Sequence, residues 1–233
     1  MREQVRLQES EALSNNLKSR SPSEKIRWVF YLLFGPAAEL VLCYNDEEKI
    51  IVKEDIMAFV EKTISSEIVY DGPIFKVRKH QVESVNGPAV RDVVEHNGGA
   101  IMLAVTDEGK ILMERQFRKP LEKVILELPA GKIDPGEDPA VCAARELEEE
   151  TGYKATSVRH LVTYYPTCGY SAEALYIYIC KNLVKGERHL DPTEDLDVLE
   201  YDAEELIEMI MNGEICDSKT IIGVLYARQA GEI

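Results

Sequence analysis

The sequence predicts an α/β or α+β protein, and three observations carry the prediction. From about residue 65 to residue 185, apolar and polar residues alternate in segments cut by Gly, Pro, Asn and Asp, the pattern of half-buried strands. Helical periodicity follows at three places: from Pro139 onward, over 203–212 and over 217–229. Strands interleaved with a few helices belong to the α/β and α+β classes. With 233 residues and 45% hydrophobic content, the chain can bury the core of one large domain, or of one domain with an extension.

In chain order, residues 1–27 are polar and charged, with Ser14, Ser21 and Ser23 among them, and predict a frayed or partly helical arm. Residues 28–44 form the most apolar run, broken by Gly35 and Pro36 and charged at Glu39. The run falls short of the ~20 apolar residues that span a bilayer. A buried helical or strand segment is expected, although Lys25 and Arg27 before it mimic the start of a signal peptide. Residues 50–63 read as a short strand and helix. No recognisable chemistry lies in residues 1–60, which are set apart as an extension of unknown role from a domain at 61–233. From Ser65 a hairpin is expected about Asp71-Gly72-Pro73. Strands follow on either side of the Asn97-Gly98-Gly99 break and the Asp107-Glu108-Gly109 turn, then over 124–129, 155–167 and 173–183. Asp202 and Asp217 suit helix N-caps, and Gly213 a helix stop.

The net charge of −15 argues against nucleic-acid binding, which needs a basic footprint, but not against a nucleotide whose phosphates a metal screens. The cysteines, Cys43, Cys142, Cys168, Cys180 and Cys216, are odd in number, scattered and without a CxxC pair. They read as reduced thiols of a cytoplasmic protein.

Residues 131–153, GKIDPGEDPAVCAARELEEETGY, carry the anomaly around which the chain is organised. Pro135-Gly136 signals a turn, Pro139 suits a first helical turn and Gly152 the position past the helix end. Val141, Ala144 and Leu147 fall on one apolar stripe. Glu146, Glu149 and Glu150 share a face, where like charges repel by a few tenths of a kcal/mol per pair. They also crowd the helix half where the macrodipole favours cations. A solvated acidic face is the bland reading. A hard divalent cation such as Mg²⁺, which takes carboxylate oxygens, would remove both penalties.

The full spacing is Gly131, five residues, Glu137, seven residues, Arg145-Glu146-Leu147, one residue, Glu149-Glu150, one residue, Gly152 and an apolar Tyr153. It resembles the Nudix box at every defined position. The resemblance implies a Nudix fold, a mixed β-sheet sandwiched between helices, with an N-terminal antiparallel sheet over about 65–95. It implies Mg²⁺ or Mn²⁺ as cofactor, with Glu146 and Glu150 as ligands, Glu149 close by and the Ala130 carbonyl on the metal. Arg145 would pair with Glu137 to brace the loop.

Outside the box, YDGPIFKV, VRDVVEHNGGA, ERQFRKPL, LELPAGKIDPGE, YYPTCGYSAE, HLDPTEDLDV and GEICDSKTI occur in the order of the ADP-ribose pyrophosphatase branch, with Pro166 near its marker proline. That likeness implies Mg²⁺-dependent hydrolysis of ADP-ribose to AMP and ribose 5-phosphate by a homodimer whose active sites borrow residues across the interface. Another nucleoside diphosphate sugar as substrate, or a sensor module without catalysis, are the alternatives. By position, Arg91 and Arg118 would hold phosphate or ribose oxygens, or else form strand-surface ion pairs. Phe75 would stack on adenine, or pack in the core. His96 stands where some relatives place a second arginine, and is otherwise a structural histidine. Tyr164, Tyr165 and Tyr170 are open between contact and structure. The general base implied is Glu194, in the loop HLDPTEDLDV. Some relatives carry two acids spaced by one residue, and the first position is Pro192 here, so Glu149 and Asp195 stay open as alternative bases.

Overall fold

The computed structural model describes residues 60–233. The readings of the apolar run 28–44 and of residues 1–27 lie outside them. The first strand, β1 (Lys62–Asp71), turns through Gly72-Pro73 into β2 (Lys76–Ser84), and β3 (Gly87–Glu95) completes an antiparallel three-stranded sheet. Of the strand and helix expected over 50–63, residues 50–59 lie outside the described residues, and Lys62 and Thr63 belong to β1 instead. All ten residues of β1 are exposed, because its Ile64, Ile68, Val69 and Tyr70 have no second layer beneath them among the described residues.

The main core comes next. Strands β4 (Gly99–Ala104), β5 (Ile111–Arg118), β6 (Lys123–Glu127) and β7 (Ala130–Lys132) precede helix α1 (Pro139–Thr151). After it come β8 (Tyr153–Tyr164), β9 (Leu175–Lys185), β10 (Leu196–Tyr201), α2 (Ala203–Met211) and α3 (Ser218–Gln229). One sheet has the order β7-β4-β9-β8, with β4 and β9 parallel and the other pairs antiparallel. A second has the order β10-β5-β6 and is antiparallel throughout. Strand β10 lies where the sequence reading placed only a loop, since LDVLEY does not alternate cleanly: its exposed acids Asp197 and Glu200 fall on opposite faces of a strand paired to β5.

The alternation of β4 and β9 builds the sandwich. Ile101, Leu103, Ile177 and Ile179 face α2 and α3, where Leu206, Val224 and Ala227 meet them. Ala100, Met102, Ala104, Tyr178 and Cys180 face α1. Successive side chains of a strand point to opposite faces, so a β-sheet buried on both sides is apolar at every position. β4 is buried along its whole length for that reason. Helix α3 lies so close that a Cβ on Gly223 would stand 2.7 Å from Leu128 Cδ1.

Candidate active site

The site is built on α1 and the strand leading into it. Asp138 caps the helix, its carboxylate accepting from the Ala140 and Val141 N–H groups, and Pro139 fills the first turn. Gly152 ends it in the left-handed region at φ 74°, its N–H donating to the Glu148 carbonyl. The buried residues of α1 are Cys142, Ala143, Leu147, Glu150 and Thr151. This corrects the expected stripe: Val141 is 58% exposed. The helix is rotated to seat its small Cys142 and Ala143 against Ala100, Met102 and Tyr178. That rotation carries Glu150 into the interior.

Arg145 organises the loop. Its Nε and Nη2 donate to the two Glu137 oxygens at 3.0 Å each, a bidentate fork. Its Nη1 donates to Glu146 at 2.8 Å and to Glu149 at 2.9 Å. Glu137 also accepts from the Asp134 N–H at 3.1 Å, closing the turn. The Arg145 hydrogen bonds, with the Asp134 amide adding, hold the Glu137 carboxyl down to about 2. Glu146 folds over the strand: a Cβ on Gly131 would stand 1.9 Å from its Cδ and 2.3 Å from its Oε1. The glycine there supplies space.

Glu150 is 5% exposed and its Oε2 has no hydrogen-bond partner. Burial first, then the charges of Glu114, Glu146 and Glu194, push its carboxyl well above the usual range. The Ala130 N–H lies within hydrogen-bonding reach of it. Burial likewise raises Glu146, with Glu149 and Glu194 adding to the rise against the pull of Arg145. The C-terminal turn of α1 gets its cation from far along the chain. Arg188, in the loop after β9, donates from Nε to the Glu150 carbonyl at 2.6 Å and from Nη2 to the Leu196 carbonyl at 2.7 Å. The His189 N–H donates to the Glu149 carbonyl at 2.9 Å. These bonds satisfy helix-end carbonyls and place positive charge at the negative end of the dipole. They also tie down the loop 186–195 that carries Glu194, whose carboxylate accepts from the Asp191 N–H at 3.2 Å.

The remaining predicted residues divide. Arg118 is close to the acids: its Nε donates to buried Glu127 at 2.6 Å. His96 Nδ1 accepts from the Gly98 N–H at 3.0 Å and lies 3.5 Å from Glu173, at the end of β3. Phe75 and Arg91 make their contacts on the three-stranded sheet. The Phe75 ring lies 5.4 Å from that of Tyr70, and Arg91 pairs with Glu61. Tyr164 is half-buried, while Tyr165 and Tyr170 are exposed. Sequence reasoning missed Glu114 and Glu127, each 1% exposed. The signal was present: both acids stand among consecutive apolar residues, ILM-Glu-R and VIL-Glu-L, at positions a buried strand fills with aliphatics.

Among the described residues no three Asp, Glu, His or Cys side chains form a closed metal cage. Arg145 draws Glu146 and Glu149 to itself, and like charges keep the others apart. The set nevertheless suits a hard cation: it consists of oxygens, two of them buried and unpartnered, on Glu114 and Glu150. Cys142 and Cys180 offer nothing comparable, since burial pushes their thiols up to about 12.

Comparison with known proteins agrees with this arrangement. Residues 96–220 match the NUDIX domain family, and residues 61–88 match the nucleoside diphosphate sugar hydrolase N-terminal domain. The chain is 43% identical to the methanol dehydrogenase activator of Bacillus methanolicus, over 72% of this chain and 92% of that protein. It is 40% identical to the ADP-ribose pyrophosphatase of Bacillus subtilis, over 71% of this chain and 91% of that protein. It is 32% identical to the GDP-mannose pyrophosphatase of Yersinia enterocolitica, over 67% and 90%. A crystal structure of an ADP compounds hydrolase, at 20% identity, superposes with a TM-score of 0.66, covering 74% of this chain and 97% of that one. With its box acids gathered on α1, its sheet between helices and relatives matched over nine-tenths of their length, the chain belongs to the NUDIX domain family and is a Nudix hydrolase of the nucleoside diphosphate sugar group.

Proposed function

We propose that the protein hydrolyses the diphosphate of ADP-ribose to AMP and ribose 5-phosphate with Mg²⁺, or Mn²⁺ in its place. The observation that carries this reading is the gathering of Glu146, Glu149 and Glu150 on α1, with the buried Oε2 of Glu150 left without a partner. Relatives named ADP-ribose pyrophosphatase at 40% and 38% identity favour the substrate. Residues that would hold the cation are the Ala130 carbonyl, Glu146, Glu149 and Glu150. A bound cation of this kind neutralises diphosphate oxygens and orients water.

The chain's own residues then have these tasks. Glu137 and Arg145 keep the loop 131–138 closed on α1 and hold Glu146 and Glu149 in place. Glu194 takes the proton of the attacking water on its carboxylate as the new P–O bond forms and the bridging P–O bond breaks. Glu149 is the alternative base. Arg118 and His96 would bind the sugar diphosphate, and Phe75 and Arg91 would reach a substrate across a homodimer interface. The exposed Ile64, Ile68, Val69 and Tyr70 of β1 favour such a dimer, since a long apolar edge strand is normally covered. The same reading takes 1–60 as an extension to the hydrolase domain at 61–233 and the cytoplasm as its location. Among the described residues no helix is long and apolar enough to cross a membrane.

A second reading, another nucleoside diphosphate sugar, is favoured by the GDP-mannose pyrophosphatases at 32% identity. Turnover of a nucleotide-sugar panel with Mg²⁺ or with EDTA, coupled to a phosphatase, separates the two. ADP-ribose leading by tenfold, about 1.4 kcal/mol of discrimination, is the expected result. GDP-mannose leading would move the protein to the second reading, and turnover unaffected by EDTA would refute the metal. Sedimentation gives the oligomeric state.

A further inference from the structure

The three residues before Glu114 on β5, Ile111, Leu112 and Met113, are fully buried, and Glu114 itself is 1% exposed. Leu112 packs with Cys142, Ala143 and Leu147 of α1. Glu114, two residues on, points to the same side. A strand that only served the core would place an aliphatic side chain here. Across the ladder Glu114 stands opposite Glu127, also 1% exposed, and like charges directly opposite destabilise a strand pair.

The two acids are treated differently by their surroundings. Glu127 has its own cations: Arg118 on Oε1 at 2.6 Å and the Lys219 ammonium on Oε2. Among the described residues Glu114 has no cation in hydrogen-bonding contact, and its Oε1 is buried without a partner. The group within hydrogen-bonding reach of it is the carboxyl of Glu150, whose own Oε2 is buried and unpartnered as well. Two neighbouring buried carboxyls from different elements, each with a buried oxygen that lacks a partner, are unfavourable without a counter-charge.

We propose that Glu114 is a further carboxylate of the cation centre, holding a divalent ion together with Glu150 between β5 and α1. The inference rests on the metal-dependent reading above and extends it to a strand outside the box. A hard ion bound there satisfies both orphaned oxygens and leaves Glu127, held by Arg118 and Lys219, as the wall behind Glu114. Its oxygen-only donors suit Mg²⁺ or Mn²⁺.

Crystals of the full chain grown with Mn²⁺ test this through anomalous difference density. The expected peak has a Glu114 oxygen within about 2.4 Å, a bonding distance for such an ion. Manganese bound by Glu146 or Glu150 with both Glu114 oxygens beyond about 4 Å overturns the inference while leaving the proposed function standing. No manganese at the site overturns both. In solution, Glu114→Gln is titrated calorimetrically with Mn²⁺. Its affinity is expected to fall tenfold or more, with the metal-free melting temperature unchanged or higher. Unchanged affinity, or a metal-free protein that melts lower with the same affinity, assigns Glu114 to structure alone. Should that variant not fold, the diffraction measurement on the unaltered chain decides.

Discussion

Gly131→Ala separates the site from the fold. Gly131 lies on β7 and is absent from the residues at positive φ, so alanine can adopt its backbone without strain. Its Cβ would nevertheless stand 1.9 Å from Glu146 Cδ, 2.0 Å from Cγ and 2.3 Å from Oε1. Non-bonded carbons settle about 3.5–4.0 Å apart, so the Glu146 carboxylate must move by roughly 1.5–2 Å. Glutamate can do so by changing rotamer, and the fold need not yield. A displacement of about 1 Å at a reacting centre costs roughly 10²-fold in rate, or about 2.7 kcal/mol of transition-state stabilisation. The unfolded chain meanwhile loses freedom, which favours the folded state by about 0.4–1 kcal/mol. The expected outcome is kcat/KM on ADP-ribose lowered about a hundredfold, with a melting temperature unchanged or slightly raised. Activity within threefold of the parent would refute the placement of Glu146 over Gly131 as a requirement of the reaction. Loss of the fold would show that the glycine serves packing.

Gly136→Ala, in the same loop, should behave oppositely. Gly136 has φ +81° and nothing within 4 Å of an added Cβ, so the change costs about 1–2 kcal/mol of stability in a denaturant titration while the folded enzyme keeps most of its turnover. Glu150→Gln should abolish turnover and leave the metal-free protein as stable or more so, read by melting in EDTA; a collapsed fold would refute a metal role for Glu150. Glu114 and Glu150 are raised by burial and by like charges, so the folded chain holds protons that the unfolded chain releases. Metal-free stability is therefore greatest in the ordinary carboxylate range and falls as pH rises toward mildly alkaline values, a slope that saturating Mg²⁺ should flatten. Melting in EDTA and in Mg²⁺ between about pH 5 and about pH 8 measures it, and stability rising with pH in EDTA would contradict the buried acids. Arg188→Ala removes the bonds to the Glu150 and Leu196 carbonyls, which should cost about 1–3 kcal/mol and open the loop 186–195 to proteolysis with a fall in kcat. A protected loop would show that other contacts hold it.

What the sequence determined is what depends on neighbours along the chain. A helix period puts Glu146, Glu149 and Glu150 on one face whatever surrounds them, and Asp138, Pro139 and Gly152 mark the ends of α1 by local chemistry. Turn residues fixed the β1–β2 hairpin and the strands on either side of the Asn97-Gly98-Gly99 break. Even the Nudix spacing is local, since its residues lie on one loop and one helix. The tertiary structure decided everything that needed a partner from elsewhere. Rotation of α1 against the sheet buried Glu150 and exposed Val141. The β5–β6 register set Glu114 against Glu127 and gave Arg118 to Glu127. Arg188 came from beyond β9 to close the helix that its own sequence left without a cation. A one-residue slip of register would turn Glu114 to the opposite face, so no spacing rule along the chain could have announced its meeting with Glu150.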